Sequence, residues 1–429
     1  MKMTLHDIVA ALRGQQPEAF LCTLPFFHLY NDSEGKWGLC CKAKPFDYSV
    51  NEVTPSEHLN SPLMHRIRQE MLDGGDMPLT QKYCWKCIEG EKKGIRTFRQ
   101  YWNDFILSRY KPEENNVVQE IFDYPERPGE AAYPTRRILD VKLRIFGNQC
   151  NLSCYMCSPS NSSTRQQEVK KIRNGYWFDR LGDSASPKVF ESQDTYDAFV
   201  EDIIGLLPWI RSIRIIGGEP FLLKNHFNFL DEVIKSGHSD QIILVYHTNL
   251  TRFNGPREKL FNYLDHFNHV YLYVSLDGVG GRNDYIRYGS DFGMILDNIR
   301  FFIRNPKIDM KIYATISMLN AGDVPHIISF YESDELNLEV SLNMVTGPDF
   351  LRAQHLPDEI KAIYRKRIED SPYRDRCDAV LKMLNQERDE NLFQVFLSYV
   401  RDLDAHRGSN LPDHWPEFES YYYIANEIQ

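Results

Sequence analysis

The chain has 429 residues, more than one hydrophobic core usually serves, so two or three domains are expected. Hydrophobic content of 42% and charged content of 26% are ordinary for a soluble protein, and a formal net charge of −10 argues against a nucleic-acid or anionic-membrane partner. No run approaches the roughly 18 apolar residues of a membrane span, and Met1–Gln16 lacks the apolar stretch of a secretion signal, so a cytoplasmic location is expected.

Met1–Gln16 reads as a short amphipathic helix. Asn31–Gly35 is a turn cluster between two aromatic runs, which predicts a hairpin that brings Cys22 near Cys40. Cys84 and Cys87 form a C-x2-C turn that completes a set of four thiols, with Cys41 as a substitute for Cys40. Residues 108–137 are rich in Pro, Glu, Asn and Arg and read as a linker.

From Ile138 the pattern changes to alternating strands and helices. Strands are expected at Leu139–Phe146, Ser212–Ile216, Ile242–Tyr246, Val270–Val274, Lys311–Ser317 and Glu339–Val345, with a helix at Asp197–Leu207 and a polar insertion at 158–195 that covers part of the site. Six strands with intervening helices predict a parallel sheet with right-handed crossovers, a partial (β/α)6 TIM-like barrel. Polar clusters end the strands: Gly217-Gly218-Glu219-Pro220, His247-Thr248-Asn249, Ser275-Leu276-Asp277-Gly278 and Asn320. In such barrels chemistry gathers at the carboxyl ends of the strands. Tyr246, Tyr273, Tyr313 and Asn343 are expected to face inward by alternation. Residues 351–429 are helical, with Leu356–Ile368 and Asp378–Asp402 the clearest stretches and Cys377 an isolated structural thiol.

Nine cysteines is an odd number, and seven of them fall in close groups, which reads as metal or cluster ligation in a reducing compartment. After the first barrel strand comes Cys150-Asn-Leu-Ser-Cys154-Tyr-Met-Cys157. Three thiolates can hold three irons of a four-iron cube and leave one iron open. Zinc in structural sites prefers four ligands, which three cysteines with no nearby His fit poorly.

The C-x3-C-x2-C spacing, Gly217-Gly218-Glu219-Pro220 and Ser275-Leu276-Asp277-Gly278 together resemble the radical S-adenosylmethionine (SAM) superfamily. The resemblance implies a [4Fe-4S] cluster on Cys150, Cys154 and Cys157, whose open iron binds SAM. It implies cofactor contacts from Gly217, Gly218, Glu219, Asn249 and Ser275, with Arg287 paired to the methionine carboxylate because Arg favours carboxylates. Cys22, Gly35, Cys40, Cys84 and Cys87 resemble the twitch and SPASM auxiliary-cluster domains, here placed before the barrel rather than after it. That implies a second [4Fe-4S] cluster on Cys22, Cys40, Cys84 and Cys87; a four-cysteine zinc site stays open.

The expected domains are 1–107 (auxiliary cluster), 108–137 (linker), 138–350 (barrel) and 351–429 (helical appendage). The expected activity is reductive cleavage of SAM to a 5′-deoxyadenosyl radical that takes hydrogen from a peptide. A flavodoxin or ferredoxin would supply the electron. The alternatives are a small sugar-like or nucleotide-like metabolite as substrate, and a non-catalytic zinc or iron–sulfur protein. No general acid or base is identifiable in the sequence.

Overall fold

The computed structural model describes residues 3–15, 20–74, 77–109, 117–124, 138–172, 177–181 and 189–424. Eight strands form one sheet: β1 His28–Asn31, β2 Trp37–Gly38, β3 Asp140–Leu143, β4 Ser212–Ile215, β5 Ile243–Thr248, β6 His269–Ser275, β7 Ile308–Ile316 and β8 Val340–Met344. The sheet order is β2-β1-β3-β4-β5-β6-β7-β8. From β3 to β8 every pairing is parallel and follows chain order. This is the expected partial barrel, and each strand lies within a few residues of its expected bounds.

The helices between the strands cover the outer face. Gln193–Leu206, Lys224–Lys235, Arg257–Asp265, Phe292–Phe302 and Val324–Tyr331 pack apolar side chains against Ile213, Ile215, Leu244, Tyr246, Leu272 and Ile312, all fully buried. Tyr246 therefore points away from the barrel interior, contrary to expectation, and its hydroxyl meets His226 Nε2 at 2.8 Å within the helix layer. Its neighbour His247 faces inward instead, since adjacent strand residues alternate. Asn343 is exposed.

The N-terminal hairpin forms as expected but is not confined to a separate layer. β1 pairs antiparallel with β2 and parallel with β3, so the N-terminal segment extends the barrel sheet. Cys84 and Cys87 lie inside the Pro78–Lys92 helix rather than on a turn; a spacing of three puts both thiols on one helix face. The following helix, Phe98–Arg109, covers the concave face of the sheet. Within the expected linker, Val117–Phe122 is a helix with Val117, Val118 and Ile121 buried; residues 110–116 and 125–137 lie outside the described residues.

The C-terminal helix Glu390–Arg407 is capped by Asp389 and ends at Gly408 with φ of 67°. It buries Phe393, Phe396, Tyr399 and Leu403 against the body of the protein. Cys377 is fully buried, which suits a structural thiol. Among the described residues no helix is long and apolar enough to cross a membrane.

Candidate cluster and cofactor site

Cys150, Cys154 and Cys157 lie on the loop that follows β3, at its carboxyl end. The three thiols are close enough that the charges of Cys150 and Cys154 act on Cys157. Burial pushes Cys150 and Cys157 up to about 12, and neighbouring thiols add to it. Donors are aimed at these sulfurs. Asn249 Nδ2 donates to Cys150 Sγ at 3.7 Å, Leu152 N to the same sulfur at 3.5 Å, and Arg287 Nη1 to Cys154 Sγ at 3.9 Å. Such donors suit thiolates, which a cationic iron core would generate.

The loop is stitched in place from several sides. Thr164 Oγ1 donates to Cys150 O at 2.6 Å, and Ser162 Oγ to Leu152 O at 2.7 Å. Arg407, at the end of the C-terminal helix, donates to Ser153 O at 2.7 Å and to both oxygens of Glu168 at 2.7 and 2.8 Å. Tyr399 OH donates to Tyr155 O at 2.5 Å. Nothing in the local sequence of the cysteine loop signals these partners.

The Gly217-Gly218-Glu219-Pro220 loop crosses over the cysteine loop. Gly217 and Gly218 have φ of 107° and 52°, and Glu219 N donates to Gln149 O at 2.7 Å. A Cβ on Gly218 would sit 2.3 Å from Gln149 O, so only glycine permits this approach. Glu219 is buried and accepts from Thr248 Oγ1 and Asn249 N, each at 2.6 Å. Burial raises its carboxyl to about 7, partly offset by these donors. Glu219 thereby fixes Asn249, whose amide reaches both Cys150 and, at 3.2 Å, Asn151 Oδ1.

Arg287 is buried and pairs with Asp277 at 2.8 Å. Asp277 also accepts from Thr315 N at 2.7 Å, and Asn320 Nδ2 donates to Asp277 O at 2.8 Å. Asn320 thus braces the strand end. Ser275 is half-buried at the end of β6, on the same face as Tyr273. The structure therefore brings Cys150, Cys154, Cys157, Glu219, Asn249 and Arg287 into one neighbourhood.

A second thiol set surrounds a small cavity lined by Cys22, Cys40, Cys84 and Cys87 with Phe20, Leu24, Leu39, Phe98 and Arg99. Burial raises the Cys84 thiol, and Cys22, Cys40 and Cys87 raise it further, so all four are neighbours. Burial likewise pushes Cys40 up to about 12, against backbone N–H groups of Lys42 and Ala43. Arg99 ties this corner together: it pairs with Glu91 at 2.5 Å and donates to Leu21 O at 2.7 Å. Cys41 is exposed and does not line this cavity, so Cys40 is the residue that joins the set. Among the described residues no three His, Cys, Asp or Glu side chains converge on a position for a single metal ion.

Between the concave face of the sheet and the Phe98–Arg109 helix lies a cavity of about 440 Å³. Lys142, Arg214, His247, Tyr273, Tyr313 and Lys311 line it. None of the three cations was singled out from sequence. The available signal was a charge alternating with apolar residues inside strands that otherwise read as buried.

Residues 145–320 match the model of the Radical SAM superfamily. Structures similar to this one include native anSMEcpe with bound AdoMet, at 17% identity and a TM-score of 0.39, covering 56% of this chain and 63% of that one. Another is SuiB of Streptococcus suis bound to S-adenosylmethionine, at 12% identity and a TM-score of 0.35, covering 89% of this chain and 72% of that one. This chain thus spans less than two thirds of the length of anSMEcpe. No curated protein matches the chain. The segment that matches this family model, residues 145–320, includes the cysteine loop at the carboxyl end of β3.

Proposed function

We propose that the protein reductively cleaves SAM to a 5′-deoxyadenosyl radical and uses it to take hydrogen from a peptide substrate. The observation that carries this reading is the gathering of three thiols at one strand end, with Asn249 and Arg287 donating to their sulfurs beneath the glycine loop. Cys150, Cys154 and Cys157 would hold a [4Fe-4S] cluster, leaving one iron for SAM. When bound, that cluster supplies the electron that splits SAM.

The chain's own residues prepare the site. Gly217 and Gly218 bring bare backbone to the cofactor, and Glu219 holds the Asn249 amide in place. Asp277 orients Arg287, and a guanidinium with five donors keeps N–H groups for the SAM carboxylate after that pairing. Ser275 stands at the adjoining strand end.

Cys22, Cys40, Cys84 and Cys87 would hold an auxiliary [4Fe-4S] cluster. Four thiols ringing a cavity suit a multi-iron body; a zinc ion bound at about 2.3 Å requires its sulfurs to converge on one point. The partly open cavity of about 440 Å³ favours one inserted peptide side chain or, as a second reading, a small metabolite.

Anaerobic purification with iron, sulfide and zinc analysis tests the assignment. About eight irons per chain are expected from two four-iron clusters. Dithionite and SAM should then yield 5′-deoxyadenosine. Zinc without sulfide, or no cleavage by the reconstituted protein, overturns it.

A further inference from the structure

Lys142 and Arg214 are register partners on adjacent strands β3 and β4. Neighbouring strands lie about 4.8 Å apart, and like charges directly opposite one another destabilise a sheet. Both side chains line the interior cavity. One buried carboxylate stands near them. Asp140 lies 3.6 Å from Arg214 and is already engaged by His28 at 3.0 Å and Ser212 at 3.2 Å. Among the described residues Lys142 has no carboxylate within ion-pair distance; its ammonium lies over the Tyr30 ring at 5.6 Å. The third cation, Lys311, is neutralised by Glu339 at 2.6 Å.

The charge count on this wall is therefore two cations against one carboxylate. Counted over the described residues, a single further anionic group completes it, whereas a dianion overshoots. His247, Tyr273 and Tyr313 supply neutral polar atoms beside that position; their rings are mutually packed at 4.6 to 5.2 Å. The opposite wall is aromatic, from Phe98, Trp102 and Phe105. The volume lies within the roughly 300–1,000 Å³ of small-ligand sites.

We infer that the barrel cavity binds a monoanionic carboxylate of the substrate between Lys142 and Arg214, with an apolar or aromatic portion against the Phe98–Arg109 helix. A peptide's acidic side chain or terminal carboxylate and a small carboxylic acid share this chemistry. The inference rests on the reading of the cavity as the substrate chamber of a radical SAM enzyme. It is tested by binding, without SAM or reductant, so the two fail separately.

The anaerobically reconstituted full chain is titrated calorimetrically with phenylacetate, its neutral amide phenylacetamide, and inorganic phosphate. Phenylacetate is expected to bind about tenfold or more tightly than the amide, the scale of a hydrogen bond to a charged group. Lys142→Met should abolish that preference, and Lys142→Arg should keep it. A tripeptide with one Glu, compared with its Gln counterpart and with phenylacetate, separates the peptide from the small-acid source. Equal binding of phenylacetate and the amide, tighter binding of phosphate, or an unchanged preference in Lys142→Met overturns the inference. Should Lys142→Met fail to fold, the comparison of phenylacetate, amide and phosphate on the unaltered chain decides it.

Discussion

Gly218 is where the glycine loop presses against the backbone that leads into the cysteine loop. Its φ of 52° lies in the left-handed region, which costs an L-residue with a side chain roughly 1–2 kcal/mol. A methyl there would also press on the Gln149 carbonyl and the Asn148 backbone, neither of which is a flexible side-chain tip. Both residues precede Cys150, so relief of the clash moves the cysteine loop. Gly218→Ala is therefore expected to lower SAM cleavage by about 10²-fold or more, the scale of a 1 Å misplacement near reacting groups. The check is the rate of 5′-deoxyadenosine formation set beside iron content. Unchanged rates with full iron would show that the loop tolerates the shift.

At the scale of elements, the cysteine loop depends on a helix far along the chain. Arg407 and Ser153 are 254 positions apart, yet one guanidinium joins the C-terminal helix, the Ser163–Lys171 helix through Glu168, and the loop carbonyl. Arg407 also lies over the Tyr155 and Tyr288 rings at 4.6 and 4.4 Å. Burial opposes ionisation of Glu168, but the hydrogen bonds and charge of Arg407, with Arg165, hold it near 2. Arg407→Met leaves that buried carboxylate with Arg165 as an ion-pair partner and the Ser153 hydroxyl as a donor. A loss of about 2–4 kcal/mol in urea unfolding is expected, somewhat below the cost of fully orphaning a buried charge. The cysteine loop should also lose iron, and Arg407→Lys should restore only part of both, because Lys lacks the fork that spans three acceptors.

These elements also mark what sequence can and cannot reveal. The strands were legible because buried parallel strands and their glycine or polar ends leave a local pattern, as at Ile213 to Gly218. The three-thiol loop stood out in the sequence through its spacing together with the motifs at Gly217–Pro220 and Ser275–Gly278. The C-x2-C pair was misread as a turn because a spacing of three fits a helix face equally well, and only the surrounding Pro78–Lys92 run decides. Arg407, Lys142 and Arg214 were missed because their roles come from pairing across the fold, which no local window contains. Alternation alone does not say which of its two sets faces inward, and the register of Tyr246 with Leu272 puts Tyr246 on the helix side.

For the whole molecule, the central question is whether the N-terminal segment is a detachable module. Its sequence resembles an add-on cluster domain, yet its strand β1 supplies the parallel neighbour of β3 at His28, Leu29 and Tyr30. Leu139 N donates to Phe27 O at 2.9 Å at the start of that pairing. Removing residues 1–109 strips β3 of one hydrogen-bonding edge, directly beneath the cysteine loop. It also deprives buried Asp140 of His28 and uncovers the cavity wall formed by Phe98, Trp102 and Phe105. An unpaired edge beside a newly exposed apolar face favours aggregation. The fragment from residue 110 onward is expected to be aggregated or protease-sensitive, without the protected core of the full chain. Size-exclusion chromatography and limited proteolysis check this. A monodisperse fragment that still binds about four irons would show two independent domains; its absence would make the parallel β1–β3 seam the feature that fuses both thiol sites into one folding unit.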